Sequence, residues 1–176
     1  GICLFSCAPA DRKETKQDYS KVISSPPFKE ITDSINRFPD NIQLFLRRAM
    51  MLAQKNLHAF ASPDFKRAWE MTGDDNIALE YASNLILSQK VPEAMQILKE
   101  GAEKFPDNTE FGRRLGEIYM QNGENDKALQ EYDNIITRDS SNFEAWYDKG
   151  TLLARMKDTT GAIASLETSF ALLPIN

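Results

Sequence analysis

The sequence has few of the residues that usually carry out chemistry. Its 176 residues include two cysteines, Cys3 and Cys7, and one histidine, His58. The rest of the chain therefore has no structural disulfide, and two cysteines are too few ligands for a metal site. A single histidine without a paired nucleophile or metal ligand supplies no catalytic mechanism. We interpret His58 as a surface or inter-helix residue in a loop.

Basic charge in excess and long apolar runs are also missing. Lys and Arg total 21 against 26 Asp and Glu, for a net charge of −5, which argues against a broad basic surface for nucleic acid. No segment reaches the roughly 20 consecutive apolar residues of a membrane-spanning helix. With 41% hydrophobic and 27% charged residues, the composition is typical of a folded protein rather than of a disordered tail.

Catalytic motifs are absent from the sequence as well. It has no glycine-rich phosphate loop, no Gly-x-Ser-x-Gly elbow and no His-Glu-x-x-His motif. Carboxylates such as Glu110 and Glu117 fit the solvated face of an amphipathic helix. Trp69 and Trp146 are predicted core residues. We therefore predict a protein that is not an enzyme and that uses no cofactor and no metal.

The start of the chain has the layout of an export signal. Apolar residues 2–5 precede Cys7, and a polar stretch without helical spacing of apolar residues follows from Asp11 to Ser25. Leu4-Phe5-Ser6-Cys7 resembles a bacterial lipobox, which implies lipid transfer to Cys7 and cleavage before it. The alternative is an ordinary apolar fragment beside a free thiol. The lipobox interpretation makes residues 1–25 a signal-peptide remnant and flexible linker, with a lipid anchor in the bacterial envelope.

Three series of positions repeat about every 34 residues. Pro-Asp-Asn occurs at 39–41 and again at 106–108, and a proline follows at Pro174. These prolines are two steps of about 34 residues apart. Small and large residues repeat with the same spacing, in the series Ala49, Ala82, Gly116, Gly150; Ala61, Ala94, Ala128, Ala162; and Phe65, Leu98, Tyr132, Leu166. The small residues allow helices to approach closely, and the large ones fill the space between them. The proline ends one helix, and Asp or Asn caps the next.

These series resemble the tetratricopeptide repeat, in which each unit is a pair of antiparallel helices. The resemblance implies an all-α, right-handed helical solenoid over residues 26–176, with four units near 42–74, 75–108, 109–142 and 143–176. An apolar stripe of Phe28, Ile31, Ile35 and Phe38 predicts a capping helix before the first unit.

The first and last units depart from the family pattern. Arg48 stands where leucine is usual, and Ser62-Pro63 predicts a short second helix from about Pro63 to Met71. At the other end, Ile163, Phe170 and Leu173 are expected to be uncovered. Truncation, a homodimer through the C-terminal helix, and further chain remain open as explanations.

In this family the first helices of the units line a concave groove for a protein or peptide partner. Carried onto this sequence, the groove positions are Leu46, Met50, Leu79, Ser83, Ile86, Glu110, Arg113, Glu117, Met120, Tyr147, Thr151 and Arg155. The asparagines of the family's carboxylate clamp are missing, because their places hold Met50, Ser83, Glu117 and Thr151. The resemblance therefore implies a protein-binding scaffold, anchored by a lipid on Cys7 and facing the periplasm from the outer membrane. A cytosolic adaptor and the docking part of a larger enzyme are the alternatives.

Overall fold

The computed structural model describes residues 18–174, and all its regular elements in that range are α-helices. They are α1 (residues 18–23), α2 (Lys29–Arg37), α3 (Ile42–Gln54), α4 (His58–Thr72), α5 (Asp75–Leu87), α6 (Val91–Lys104), α7 (Glu110–Gln121), α8 (Asn125–Arg138), α9 (Phe143–Arg155) and α10 (Thr159–Leu172). The predicted all-α fold class is confirmed. The lipidation prediction at Cys7 lies outside the described residues.

The chain divides into two compact units inside α5, one ending at Ile77 and the other starting at Ala78. In the first unit, α3 packs against α4 and α2 packs against α3. In the second, α7 packs against α8, α8 against α9, and α9 against α10. Each unit therefore has its own core of paired helices, as the repeat pattern implies.

The capping stripe is buried as predicted except at its last residue. Phe28, Ile31 and Ile35 of the α2 segment are all less than 8% exposed, whereas Phe38 is 60% exposed. Phe38 is the C-cap residue that directly follows α2. Its backbone has φ −131° and ψ 68°, so its side chain leaves the helical register. Its assignment to the stripe is wrong for that reason.

The predicted linker is partly helical. Residues 18–23 form α1, although no helical spacing was visible in the sequence. The Tyr19 ring lies 5.8 Å from that of Phe60, and Arg48 Nη2 donates to the Tyr19 hydroxyl at 3.5 Å. Contacts with residues distant in the chain therefore stabilise a helix that local pattern does not predict.

The second helix of the first repeat, α4, is longer than predicted. α4 begins at His58 rather than near Pro63, so His58 is a half-buried helical residue and not a loop residue. Pro63 lies inside the helix, where it cannot donate a backbone hydrogen bond. Ala61 and Phe65 are almost fully buried on either side of it. The burial of this face outweighs the helix-breaking tendency of proline.

Small residues in the second unit meet large side chains at short range. A Cβ atom placed on Gly116 would lie 2.4 Å from Cε1 of Tyr132, and one on Gly101 would lie 2.1 Å from Cε1 of Phe111. Ala128 has no exposed surface. The predicted role of small residues in close helix packing is therefore confirmed at these positions.

In three of the repeats, an asparagine side chain accepts a hydrogen bond from an amide at the start of the first helix. Asn41 accepts a hydrogen bond from the amide of Gln43 at 3.1 Å, and Asn108 accepts one from the amide of Glu110 at 3.2 Å. In the next repeat Ser140 stands at the place of the proline, and Asn142 accepts a hydrogen bond from the amide of Ala145 at 2.8 Å. These bonds satisfy amides that an α-helix leaves unpaired at its start.

The outer face of α10 is apolar and exposed. The exposed fractions are 51% for Ile163, 77% for Phe170 and 42% for Leu173, which confirms the expectation that these side chains are uncovered. Trp69 is a core residue, 6% exposed, as predicted. Trp146 is half-buried instead, because its indole nitrogen reaches the carbonyl of Ser140 at 3.0 Å, near the surface.

The described residues contain neither a membrane-spanning helix nor a cluster of metal ligands. None of the helices in residues 18–174 combines the length and the apolar character that crossing a membrane requires. Within the same range, His, Cys, Asp and Glu side chains form no group of three or more that could hold a metal ion.

Candidate functional site

The second unit has two recesses that share one wall of α7. The first, which we call the aromatic recess, has a volume of about 220 Å³ and is lined by Glu110, Arg113, Arg114, Glu117, Met120, Tyr132, Tyr147, Asp148 and Thr151. The second, the aliphatic recess, has a volume of about 440 Å³ and is lined by Ser83, Ile86, Leu87, Glu110, Arg114, Glu117, Ile118 and Gln121. Because Glu110, Arg114 and Glu117 line both, the two recesses form one surface, which we call the groove.

Helical spacing on α7 explains why these charged residues lie together. Glu110, Arg113, Arg114, Glu117 and Gln121 follow one another at three- and four-residue intervals, which places their side chains on one face of the helix. The opposite face holds the buried Phe111 and other core residues. The core side of α7 thus fixes the direction in which its polar side points.

Arg113 joins α7 to α9 through carboxylates. Its Nε donates to Oδ2 of Asp148 at 2.7 Å, and its Nη1 lies 2.9 Å from Oε2 of Glu144 and 3.5 Å from Oε2 of Glu110. Burial acts to lower the pKa of Arg113, but the hydrogen bond to Asp148 and the three carboxylates outweigh it and raise the pKa. The Nε and Nη1 atoms of this guanidinium are therefore both engaged with acidic side chains.

Arg114 joins α7 to α5 within the second unit. Its Nε donates to Oε1 of Glu110 at 2.8 Å, and its Nη1 donates to the Ser83 hydroxyl at 2.5 Å and to the carbonyl of Leu79 at 3.1 Å. These bonds hold in place the wall of α7 that the two recesses share. They also leave the second arginine of the groove occupied by partners within the protein.

Tyr132 forms the buried end of the aromatic recess. It is only 2% exposed, and its hydroxyl makes no hydrogen bond to another residue in the described part of the chain. Burial, together with the negative charges of Asp148 and Glu117, raises the pKa of Tyr132 to about 12. The hydroxyl is therefore neutral at physiological pH and can both donate and accept a hydrogen bond.

Glu117 stands at the junction of the two recesses with its carboxylate exposed. Gln121 Nε2 donates to its Oε1 at 3.2 Å. No lysine, arginine or histidine of residues 18–174 forms an ion pair with it. The negative charge of Glu117 is thus uncompensated, unlike those of Glu110 and Asp148.

The structure brings together eight of the twelve groove residues predicted from the sequence. Those that line the aromatic or the aliphatic recess are Ser83, Ile86, Glu110, Arg113, Glu117, Met120, Tyr147 and Thr151. Leu79 is a correction: it is 8% exposed and packs in the core, and its carbonyl rather than its side chain contributes to the site. Arg155 ends α9, is exposed and lines neither recess.

The two remaining predicted residues belong to the first unit. Leu46 is half-buried and Met50 is 56% exposed, both on α3. That unit also has a recess of about 470 Å³, lined by Asp18, Lys21, Val22, Ser25, Pro26, Phe28 and Phe60. Neither Leu46 nor Met50 lines it.

Sequence reasoning missed six side chains that line the groove. Leu87, Ile118 and Gln121 belong to the aliphatic recess, and the other three belong to the aromatic recess. Arg114, Asp148 and Tyr132 all line the aromatic recess. Tyr132 was assigned to core packing, which is correct for its ring but overlooks its hydroxyl. Arg114 lies 31 residues after Ser83, and Asp148 lies 35 residues after Arg113, so each pair joins neighbouring repeats within the second unit. Opposite charges about one repeat apart are a signal that could have found the Arg113–Asp148 pair.

The first unit contains a buried ion pair that explains its unusual arginine. Arg48 is 5% exposed and Asp64 is 2% exposed, and Arg48 Nη1 also donates to the Thr32 hydroxyl at 3.0 Å. Burial acts to lower the pKa of Arg48, but its bond to Asp64 raises it overall. Arg48 replaces the usual leucine because α4 supplies a carboxylate opposite it.

Paired helices whose large and small residues recur about every 34 positions define a helical-repeat protein. Two tetratricopeptide-repeat family models match the sequence, at residues 85–140 and 113–169. The chain belongs to the tetratricopeptide-repeat family, whose fold is a scaffold for protein–protein interaction. Proteins of this family are generally non-catalytic.

Solved structures with the same fold have low sequence identity to this chain. MamA matches with 17% identity and a TM-score of 0.68 over 96% of each chain. YrrB, described as a TPR protein with an unusual peptide-binding site, matches with 15% identity and a TM-score of 0.63 over 94% of this chain and 83% of its own. A repeat protein from Cytophaga hutchinsonii matches with 15% identity and a TM-score of 0.70, over 94% and 64%.

A curated relative matches part of the chain. The BBSome complex member BBS4 of Bos taurus is 32% identical over 68 residues, which are 39% of this chain and 13% of that protein. The match therefore concerns a short stretch of repeats within a much longer protein.

Proposed function

We propose that the protein is a non-catalytic scaffold that binds an extended segment of a partner protein in the groove of its second unit. The observation that carries the proposal is the continuous pair of recesses along α7, which combine apolar side chains such as Ile86 and Met120 with charges at the rim. Apolar anchors within a charged rim are typical of peptide-binding surfaces. The peptide-binding site named for YrrB, which shares this fold, supports the same interpretation.

Site-specific photo-crosslinking tests the groove. A photoreactive amino acid at Thr151 or Ser83, both on the groove, is expected to cross-link a partner in cells that make the full-length protein. The same amino acid at Glu100, which is exposed on α6 and lines neither recess, is the control. Cross-links to the same protein from Glu100 and Thr151 in equal yield would contradict binding in the groove.

We also propose that the protein is a lipoprotein of the bacterial cell envelope, anchored through Cys7 and facing the periplasm from the outer membrane. The support is the lipobox-like order of apolar residues, Ser6 and Cys7 before a polar stretch. Metabolic labelling with a clickable fatty acid is expected to mark the wild-type protein and the Cys3→Ser control. Labelling should disappear in Cys7→Ser.

The alternatives predict different results. A cytosolic adaptor would show no acylation, so an unlabelled wild-type protein would favour it over the lipoprotein. The docking part of a larger enzyme would be followed in the gene by a catalytic domain, which sequencing of the complete gene would show.

A homodimer through α10 is the proposed second interface. Ile163, Phe170 and Leu173 present an exposed apolar face. The second helix of the preceding repeat, α8, is instead packed against the next helix, α9. A second copy offers the same face for a two-fold contact, in which each α10 covers the other. Sedimentation should show a dimer that Phe170→Asp converts to a monomer. A wild-type monomer at high concentration would contradict this proposal.

A further inference from the structure

We propose that the aromatic recess is a subsite for one lysine or arginine side chain of the bound segment. The cation is held by the Glu117 carboxylate, the Tyr132 hydroxyl and the ring of Tyr147. The inference rests on the proposed function, because the side chain belongs to a segment that lies in the groove. It adds the chemical class of the residue that the groove selects.

The charges of the recess favour a cation over an anion. Arg113 and Arg114 are both bonded to carboxylates of the protein, at 2.7 Å to Asp148 and at 2.8 Å to Glu110. An acidic side chain would compete with Asp148 or Glu110 for these guanidinium groups and would also face Glu117. A basic side chain meets no such competition, because Glu117 has only the neutral amide of Gln121 as a partner among the described residues. Charge complementarity therefore selects Lys or Arg.

Tyr132 provides a second, independent reason. Tyr132 lines the recess with an almost completely buried side chain, and its hydroxyl makes no hydrogen bond to a described residue. After burial itself, Asp148 and Glu117 raise the pKa of this hydroxyl and Arg113 lowers it, so the two carboxylates outweigh the one cation and leave a negative potential at the oxygen. A neutral hydroxyl at a negative potential is suited to accept a hydrogen bond from an ammonium or guanidinium group.

The remaining walls fit a long, cationic side chain. Tyr147 lines the recess and is 57% exposed, so its ring is accessible to a cation, while Met120 can pack against the aliphatic stem. The recess volume of about 220 Å³ is smaller than that of small-molecule sites, which occupy roughly 300–1,000 Å³. One side chain fits this space better than a whole metabolite does.

Selection from a random dodecapeptide display library tests the inference on the full chain. Peptides that bind the wild type but not the uncharged Ile86→Ser/Met120→Ser variant are classed as groove-dependent. We expect these peptides to be enriched in Lys or Arg compared with the unselected library. Ile86 and Met120 are half-exposed, so both replacements are compatible with the fold.

A double-mutant cycle on one selected peptide locates the basic side chain. Glu117→Gln is expected to weaken binding about tenfold, and Glu100→Gln, an exposed control on α6, to leave it unchanged. Replacing the key lysine of the peptide by norleucine should cause a similar loss, and the two changes together should cost little more than either one. Tyr132→Phe keeps the ring against Gly116, and by removing the hydroxyl should weaken binding about fivefold.

The outcomes separate this inference from the proposed function. Groove-dependent peptides without basic residues, or basic peptides whose affinities are the same for wild type and Glu117→Gln, would overturn the subsite and leave the groove intact. A selection that yields no groove-dependent peptide would overturn both. Circular dichroism of each variant is the check that the helices are retained.

Discussion

Arg48 and Asp64 form a two-point ion pair between α3 and α4, with both nitrogen–oxygen distances at 2.7 Å. Both residues are buried, and Thr32 accepts a further hydrogen bond from the same guanidinium at 3.0 Å. Removing one partner of such a pair destabilises the fold strongly, because the other charge is then left buried without compensation. It replaces the apolar contact that a leucine makes at this place in the repeat.

Arg48→Met is expected to lower the free energy of unfolding by about 3–5 kcal/mol, because it leaves the Asp64 carboxylate buried and unpaired. The double variant Arg48→Met/Asp64→Leu should recover most of this loss. Lys29→Met, which removes an exposed ion pair with Asp33, is the control and should cost less than about 1 kcal/mol. Urea unfolding measures all three. A double variant as unstable as the single one would contradict the explanation.

Pro63→Ala is expected to stabilise the protein by about 1–3 kcal/mol. Pro63 lies inside α4 and lacks the amide that would donate to the carbonyl four residues earlier. Pro92→Ala is the matched control, because Pro92 stands in the first turn of α6, where the amide has no partner within the helix. Thermal unfolding should show a higher midpoint for Pro63→Ala alone. Equal shifts in the two variants would count against a cost at Pro63.

Gly116→Ala is expected to destabilise the second unit by about 1–3 kcal/mol, although alanine is the better helix former. The added methyl group would lie 2.4 Å from Cε1 of Tyr132. Gly112→Ala on the same helix is the control, since its nearest neighbour is the flexible Cδ1 of Ile135 at 3.2 Å. Urea unfolding compares the two. In the Gly116→Ala background, Tyr132→Leu should restore part of the stability if the clash is the cause.

Stability is expected to fall steeply between about pH 10 and pH 12 because of Tyr132. Its pKa is raised to about 12 in the folded protein, whereas a solvated tyrosine titrates near 10, so in this range the unfolded state releases a proton that the folded state keeps. The contribution of roughly 2–3 kcal/mol is complete below pH 10 and is lost as the pH rises through 12.

Tyr132→Phe removes this titration and is expected to reduce the loss of stability over the same range. Urea unfolding at intervals between pH 9 and pH 11.5 measures the slope for the wild type and the variant. Tyr147→Phe is the control, because Tyr147 is 57% exposed. Identical slopes for the wild type and Tyr132→Phe would show that another group causes the alkaline loss.

Much of the groove could be read from the sequence because a repeat places equivalent residues on equivalent faces. Glu110, Arg113 and Glu117 were predicted by their positions in the unit, and helical spacing does bring them to one face of α7. Leu79 was misassigned because the position in the unit does not tell how deeply a side chain is buried. The hydroxyl of Tyr132 was missed because one side chain can pack with its ring and still present a polar atom to the groove.

The repeat, the pairing of helices and the caps are predictable from the sequence, since they depend on local spacing and on residues such as Asn41 and Gly116. Three features depend on tertiary contacts instead: the helix at residues 18–23, the continuation of α4 through Pro63 and the burial of Arg48. Each of these depends on a partner distant in the chain, such as Phe60 for Tyr19 or Asp64 for Arg48. Local propensities are worth about 1–3 kcal/mol, and the burial and pairing of such side chains outweigh them.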